Sequence, residues 1–346
     1  METPSWDVLI VGAGAAGCSA AMRLPDGLRA LMVDRGDPAH GRCCGGLLNP
    51  DAQHAIVRLG LALPEEVRVR PEPAYVHAVD LDAGLEQTYR RAYWNLDRAA
   101  FDTWLLEQAR QRVVFQPRTR LVGLRREAAG LTVHLAGPEG RTAVGTACVI
   151  GADGAGSRLR RLAFPDHPSP PLMTAIQVRL PAESRLDRHE VLFASRLTNF
   201  YAWAIPKRDT VLVGAAFGRL HGARQRFEGV LDHFRERLGL DGPVQRRRAR
   251  RLSRPARASH LLSGADRILL VGEAAGLVSP SSGEGLSFAL ESGSAAGAAV
   301  AQADPAGAYG RVFRPLAGKV RRKFAKARVI FTPGLRRWAL RLPWCP

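Results

Sequence analysis

Short apolar runs, each opening into a turn of small residues, recur along the chain and dictate its architecture. Val8–Val11 enters Gly12-Ala13-Gly14-Ala15-Ala16-Gly17, and an alanine-rich stretch follows to Leu24. A brief apolar run that stops at glycine and precedes a longer helix-compatible segment reads as a buried strand feeding a helix. Ala30–Val33 repeats the strand, as do the runs that enter Asp153-Gly154 and Gly272-Glu273. Strands alternating with helices predict a parallel, doubly wound α/β layer. Elsewhere the period changes. Residues 118–147 alternate strand patterns with turn residues and predict an antiparallel meander, and Tyr201-Ala202-Trp203-Ala204 sets its aromatics on one strand face. Helices are predicted at Asn95–Ala109, with Asp97 as N-cap, at Phe227–Leu238 and at Leu286–Gln302. In the last stretch Val312, Leu316, Val320, Phe324 and Phe331 recur at near-helical spacing among basic residues, and Trp338, Leu340, Leu342 and Trp344 follow a Pro333-Gly334 break.

Composition narrows the class without naming a function. No apolar run approaches the length of a bilayer span, and no secretory signal is read at the N-terminus. Five cysteines in 346 residues do not form a disulfide framework, so a reduced, cytoplasmic setting is expected. No metal site is read. The net charge of +18 is unevenly placed: Gln245–Arg257 carries seven arginines, and nothing acidic follows Asp304. Such patches suit acidic lipid or a phosphorylated cofactor, or are simply a solvated basic surface; nucleic acid is not an expected partner. The basic, tryptophan-bearing end either lies on the anionic inner face of a membrane or packs over the protein with its arginines in water.

Three pieces of sequence carry chemistry. In the first, Gly12 permits a tight turn, Gly14 lets backbone approach a pyrophosphate, and Gly17 lets helix and strand pack closely. Ala15 and Ala16 open the helix whose free N–H groups face that pyrophosphate. Asp34, 22 residues after Gly12, ends the second strand where a ribose hydroxyl can be bound, with Arg35 beside it. The second piece, Gly151-Ala152-Asp153-Gly154 with Ser157 and Arg160, sits after another strand. The third runs from Gly272-Glu273 through Pro280 and Gly283-Glu284-Gly285 into a helix. It places the Glu273 carboxylate at a strand's carboxyl end, where it can bind hydroxyls of a ribityl chain. A helix starting near Gly285 aims its positive end at the anionic edge of a reduced flavin.

Together these motifs resemble the FAD-dependent family that includes para-hydroxybenzoate hydroxylase and the geranylgeranyl reductases, over Asp7 to about Asp304. Glu273 stands where that family usually has Asp. The resemblance implies a Rossmann-type α/β FAD-binding domain built from residues 1–70, 96–160 and 262–305. A mixed, largely antiparallel substrate domain would take residues 71–95 and 161–261, and a helical C-terminal tail residues 306–346. FAD would be held non-covalently, with Arg98 near its pyrophosphate. No second dinucleotide fingerprint is read, so NAD(P)H would act as a transient donor.

Three local features resemble the reductase branch. They are the Cys44-Gly45 pair continuing into Leu47-Leu48-Asn49-Pro50-Asp51, which is similar to bacterial colicin M resistance-type flavoproteins; Tyr201-Ala202-Trp203-Ala204-Ile205-Pro206-Lys207; and Gly283-Glu284-Gly285. Cys44, Tyr201, Trp203 and Glu284 are therefore the expected catalytic-site residues. The resemblance implies hydride delivery from flavin N5 to a small hydrophobic, unsaturated, isoprenoid-like substrate. The alternative is a monooxygenase using a flavin hydroperoxide on a hydrophobic or aromatic substrate. A halogenase is rejected, since no lysine precedes Lys207. The oligomeric state is not legible in the sequence.

Overall fold

The structure, a computed structural model, describes residues 5–36, 42–182, 186–218 and 221–339. Leu340, Leu342 and Trp344 of the tail lie outside the described residues. The helices are α1 Ala15–Met22, α2 Pro50–Arg58, α3 Arg98–Arg110, α4 Arg158–Ala163, α5 Ala223–Leu238, α6 Leu286–Ala299, α7 Pro305–Ile330 and α8 Pro333–Ala339. Asp97 caps α3 by accepting the N–H groups of Ala99 and Ala100, as a short acceptor at that position should.

Two large sheets divide the described strands. In the first, Ser5–Val11 pairs in parallel with Ala30–Val33 and with Gly140–Gly151, and the latter pairs in parallel with Ile268–Leu270. Val114–Gln116 extends the layer beyond Ala30–Val33, while Arg120–Glu127 and Gly130–Gly137 form the antiparallel meander against Gly140–Gly151. Val8–Val11, Ala30–Val33 and Ile268–Leu270 are buried on both faces, which is why they read as continuous apolar runs. The second sheet runs Arg246–Ser253, Leu172–Pro181, Thr210–Phe217, Ala202–Lys207, His189–Phe193, Tyr75–Asp80, Leu85–Arg90. Its pairings are antiparallel except for His189–Phe193 against Tyr75–Asp80. Phe227, Val230, Leu231 and Phe234 of α5 cover one of its faces.

Close packing of α1 on α6 brings two helix starts together. A Cβ on Gly293 would lie 2.1 Å from the carbonyl oxygen of Ala16, and one on Gly297 equally close to that of Ala20. Only glycine permits that approach, and Ser19 Oγ bonds the Leu290 carbonyl across it at 2.6 Å.

The tail departs from a membrane-lying segment. Phe313, Leu316 and Val320 of α7 are buried in the core, and Tyr309 donates to the Leu270 carbonyl at 2.8 Å. Arg336 of α8 is buried, paired with Asp80 at 2.7 and 2.8 Å and with Asp82 at 2.6 Å. Part of the apolar stripe is thus spent on the protein itself, while Val312 and Trp338 stay exposed. No helix among the described residues is long and apolar enough to cross a membrane.

Candidate flavin site

The two sheets meet at an open cleft of about 1470 Å³. Local folding explains who lines it. The first strand ends in a turn in which a Cβ on Gly12 would sit 2.4 Å from Ala152 O, and one on Gly17 would sit 1.9 Å from Gly12 O. Gly12 and Gly17 are thus packing residues behind the cleft, while Gly14, Ala15 and Ala16 line it. No side chain caps the start of α1, and none caps α6 after Gly285; neither helix has an acid in its first turn. Two partial positive charges therefore face one cavity.

Arginine adds full charge. Arg42 lies against Gly14, whose Cβ would be 3.2 Å from the guanidinium carbon, and reaches Asp34 at 3.1 Å. Arg98 lines the cleft and pairs with Asp102 at 2.6 Å. Burial disfavours its charged form, but Asp102 outweighs that and holds the guanidinium above its usual range. Arg250 enters from the second sheet, 3.7 Å from where a Cβ of Gly154 would be. A cleft lined by two uncapped helix N-termini and four arginines, Arg251 being the fourth, is built for a polyanion, and a pyrophosphate meets that requirement. The buried Nε of Arg98 and of Arg42 make no hydrogen bond among the described residues, although Arg42 Nε lies 3.8 Å from an Asp102 carboxylate oxygen.

The carboxylates divide by role. Asp34 accepts Ala13 N–H and Gly36 N–H, each at 2.8 Å, which fixes it at the strand end beside the glycine turn. Glu273 lines the cleft and accepts Ser253 N–H at 2.9 Å. Burial raises its pKa and the nearby Arg250 opposes that rise. Asp153 turns elsewhere: it takes Ser157 Oγ, Arg158 N–H and Leu159 N–H, and so caps α4. Gly154, not Asp153, reaches the cavity. Arg35 is exposed, and Pro280 is buried behind the Gly283–Gly285 turn; neither lines the cleft.

Cys44, Gly45, Tyr201, Trp203, Gly272, Gly283, Glu284 and Gly285 all line the cleft. The loop at Cys44–Gly46 is tied down from behind. A Cβ on Gly45 would meet Ile205 at 2.8 Å, and the buried ammonium of Lys207 donates to Asn95, to Leu96 O at 2.8 Å and to Gly46 O. Burial pushes the neighbouring Cys43 thiol up to about 12, so Cys43 stays protonated. Glu284 is committed rather than free. Its carboxylate accepts Arg91 at 3.0 Å, Tyr93 Oη at 3.0 Å, Asn49 at 3.1 Å and Ser282 at 3.2 Å. Four donors converge on the carboxylate, which clamps three segments together.

A second chamber joins the cleft past Tyr93, His189, Tyr201 and Glu284, which line both. Its wall is one face of the second sheet. Gln177, Trp203, Val191 and Ala78 stand in one row of the register across Gly214, so their side chains share that face. Gly214 exists for Trp203: a Cβ there would lie 2.4 Å from the indole. Lys323 and Lys326 bring positive charge to the chamber, which Asp51 also lines, while Arg91 stands at the junction paired with Glu284. Sequence reasoning named none of Arg42, Arg250, Gln177 and His189. Arg250 was hidden in a basic run, distinguishable only by strand alternation, and His189 belongs to no motif.

Residues 5–190 match the FAD binding domain family. The chain belongs to that family. Over its whole length it is similar to protein CbrA of Escherichia coli K12, 31% identical over 344 residues that span 97% of this chain and 96% of the relative. In fold it is similar to a geranylgeranyl bacteriochlorophyll reductase-like protein of Thermoplasma acidophilum, with a TM-score of 0.80 at 19% identity over 99% of this chain and 89% of that one. It also matches PqsL of Pseudomonas aeruginosa, a probable FAD-dependent monooxygenase, at a TM-score of 0.74 and 21% identity over 97% and 98% of the two chains. The family match makes the chain an FAD-binding protein, and the solved neighbours share its fold.

Proposed function

We propose that this flavoprotein reduces an apolar, unsaturated, isoprenoid-like substrate, with NAD(P)H visiting as electron donor. Bound FAD supplies the two-electron redox chemistry; the protein binds, orients and keeps water away. The observation that carries the reading is the second chamber. It opens from the flavin cleft and is walled by Val76, Ala78, Val191, Phe193 and Tyr201, a surface suited to a hydrocarbon chain. Lys323 and Lys326, in the same chamber, suit an acidic head. Trp203 and the Cys44–Gly46 loop would hold the reacting double bond at the cleft end.

The test is product mass under controlled oxygen. Reduced holoenzyme is incubated with a polyprenyl phosphate, once without oxygen and once under ¹⁸O₂. The reading expects product that has gained two hydrogens per double bond, formed without oxygen. Turnover that requires oxygen and places one ¹⁸O atom in the product would replace reduction with monooxygenation.

A further inference from the structure

His189 differs from the other polar side chains at the junction of the two chambers. It opens the strand His189–Phe193, two residues before Val191, and so projects from the same sheet face as Val191 and Trp203. Its imidazole lines both chambers and is 8% exposed. Neither ring nitrogen has a hydrogen-bond partner among the described residues.

The neighbours cannot supply one. Tyr93 meets the ring edge-on at 5.9 Å and donates its hydroxyl to Glu284. Arg91 is paired with Glu284, and the Lys207 ammonium is held by Asn95, Leu96 and Gly46. Burial pushes the imidazole's pKa down to about 4, so the ring is neutral, with one donor and one acceptor. Leaving both buried and unmet costs about 1–3 kcal/mol for each group. A residue kept only for packing would be apolar here. The cavity wall carries a hydrogen-bonding pair where nothing in the protein uses it.

We infer that His189 is a substrate-binding residue that hydrogen-bonds a hydroxyl group of the ligand at the point where the two chambers join. A hydroxyl can meet either ring nitrogen of the neutral imidazole, donating to the bare one or accepting from the N–H. The substrate class is then an apolar chain bearing an uncharged oxygen function near its reacting end. This rests on the reading of the second chamber as a substrate site, but it requires binding and not turnover.

The experiment uses FAD-loaded protein, titrated with an isoprenoid alcohol and with the hydrocarbon of the same skeleton lacking the hydroxyl. Flavin absorbance reports binding, and flavin content and Tm report integrity. Wild type should prefer the alcohol by roughly 5- to 150-fold, the equivalent of one buried hydrogen-bonding group. His189→Phe should keep its flavin and its Tm and bind both probes alike, while His189→Gln should retain part of the preference. Equal binding by wild type, binding of neither probe, or a preference that survives in His189→Phe would overturn the assignment. So would a flavin spectrum changed by His189→Phe before any ligand is added, which would make the residue a cofactor contact. Preference without any reduction would instead count against the proposed reaction and leave the role of His189 standing.

Discussion

Replacing Arg336 by methionine would separate the two accounts of the C-terminal tail. Arg336 makes two bonds to Asp80 and one to Asp82, and its side chain is 5% exposed against 0% for that of Asp80. Methionine fills similar volume, so the change removes charge more than packing. It leaves the Asp80 carboxylate buried and unpaired, which costs about 3–5 kcal/mol. With an unfolding entropy of about 2.1 cal/mol/K per residue, that lowers Tm by roughly 4–7 °C. Thermal unfolding followed by circular dichroism reads the shift. The double variant Arg336→Met/Asp80→Asn removes both charges and should recover most of the loss, giving a coupling of at least about 2 kcal/mol. A single variant within about 0.5 kcal/mol of wild type, or losses that simply add, would refute the idea that α8 is locked to the substrate sheet by a buried ion pair.

Gly17→Ala should lower stability by about 1–3 kcal/mol and deplete bound flavin. Its Cβ would lie 1.9 Å from Gly12 O, forcing α1 away from the turn; Gly310→Ala, where a Cβ meets nothing within 4 Å, is the control, and equal flavin content in both variants would contradict the argument. Arg250→Met should raise the Kd for FAD roughly tenfold or more, measured by flavin fluorescence quenching, because it removes a charged donor from the pyrophosphate end of the cleft. An unchanged Kd would place Arg250 outside the contact. His189 carries a pH signature. Burial pushes its pKa from the usual 6.5 down to about 4, so between those values the unfolded chain binds more protons and stability falls as pH falls. The loss reaches about 3 kcal/mol by pH ~4, and His189→Phe should lack that component in urea melts across the window; identical acid limbs would show the imidazole is not buried neutral.

What the sequence made legible was local and periodic. The strand–glycine–helix units announced the parallel layer, and Glu273 arrived at the cleft and Asp34 at the glycine turn because each sits just beyond an apolar strand. Asp97 was readable as a cap for the same reason. Asp153 shows the limit of motif reading: the pattern located the turn, but the carboxylate serves α4 and only its glycine neighbour reaches the cavity. Glu284 shows another, since its four donors come from segments up to 235 residues away. Arg250, His189 and the Arg336–Asp80 pair depend on how the second sheet docks on the first layer and the tail. Hydrophobic period within a segment carries no trace of a partner 256 residues distant.

The central claim is a cleft that holds FAD without a covalent bond. It is tested most directly by purifying the full chain, reconstituting it with FAD, removing free cofactor and precipitating the protein with acid. The account predicts one FAD per chain, released intact into the supernatant and identified by mass. A colourless protein after reconstitution, or a flavin that stays with the precipitate, would contradict it.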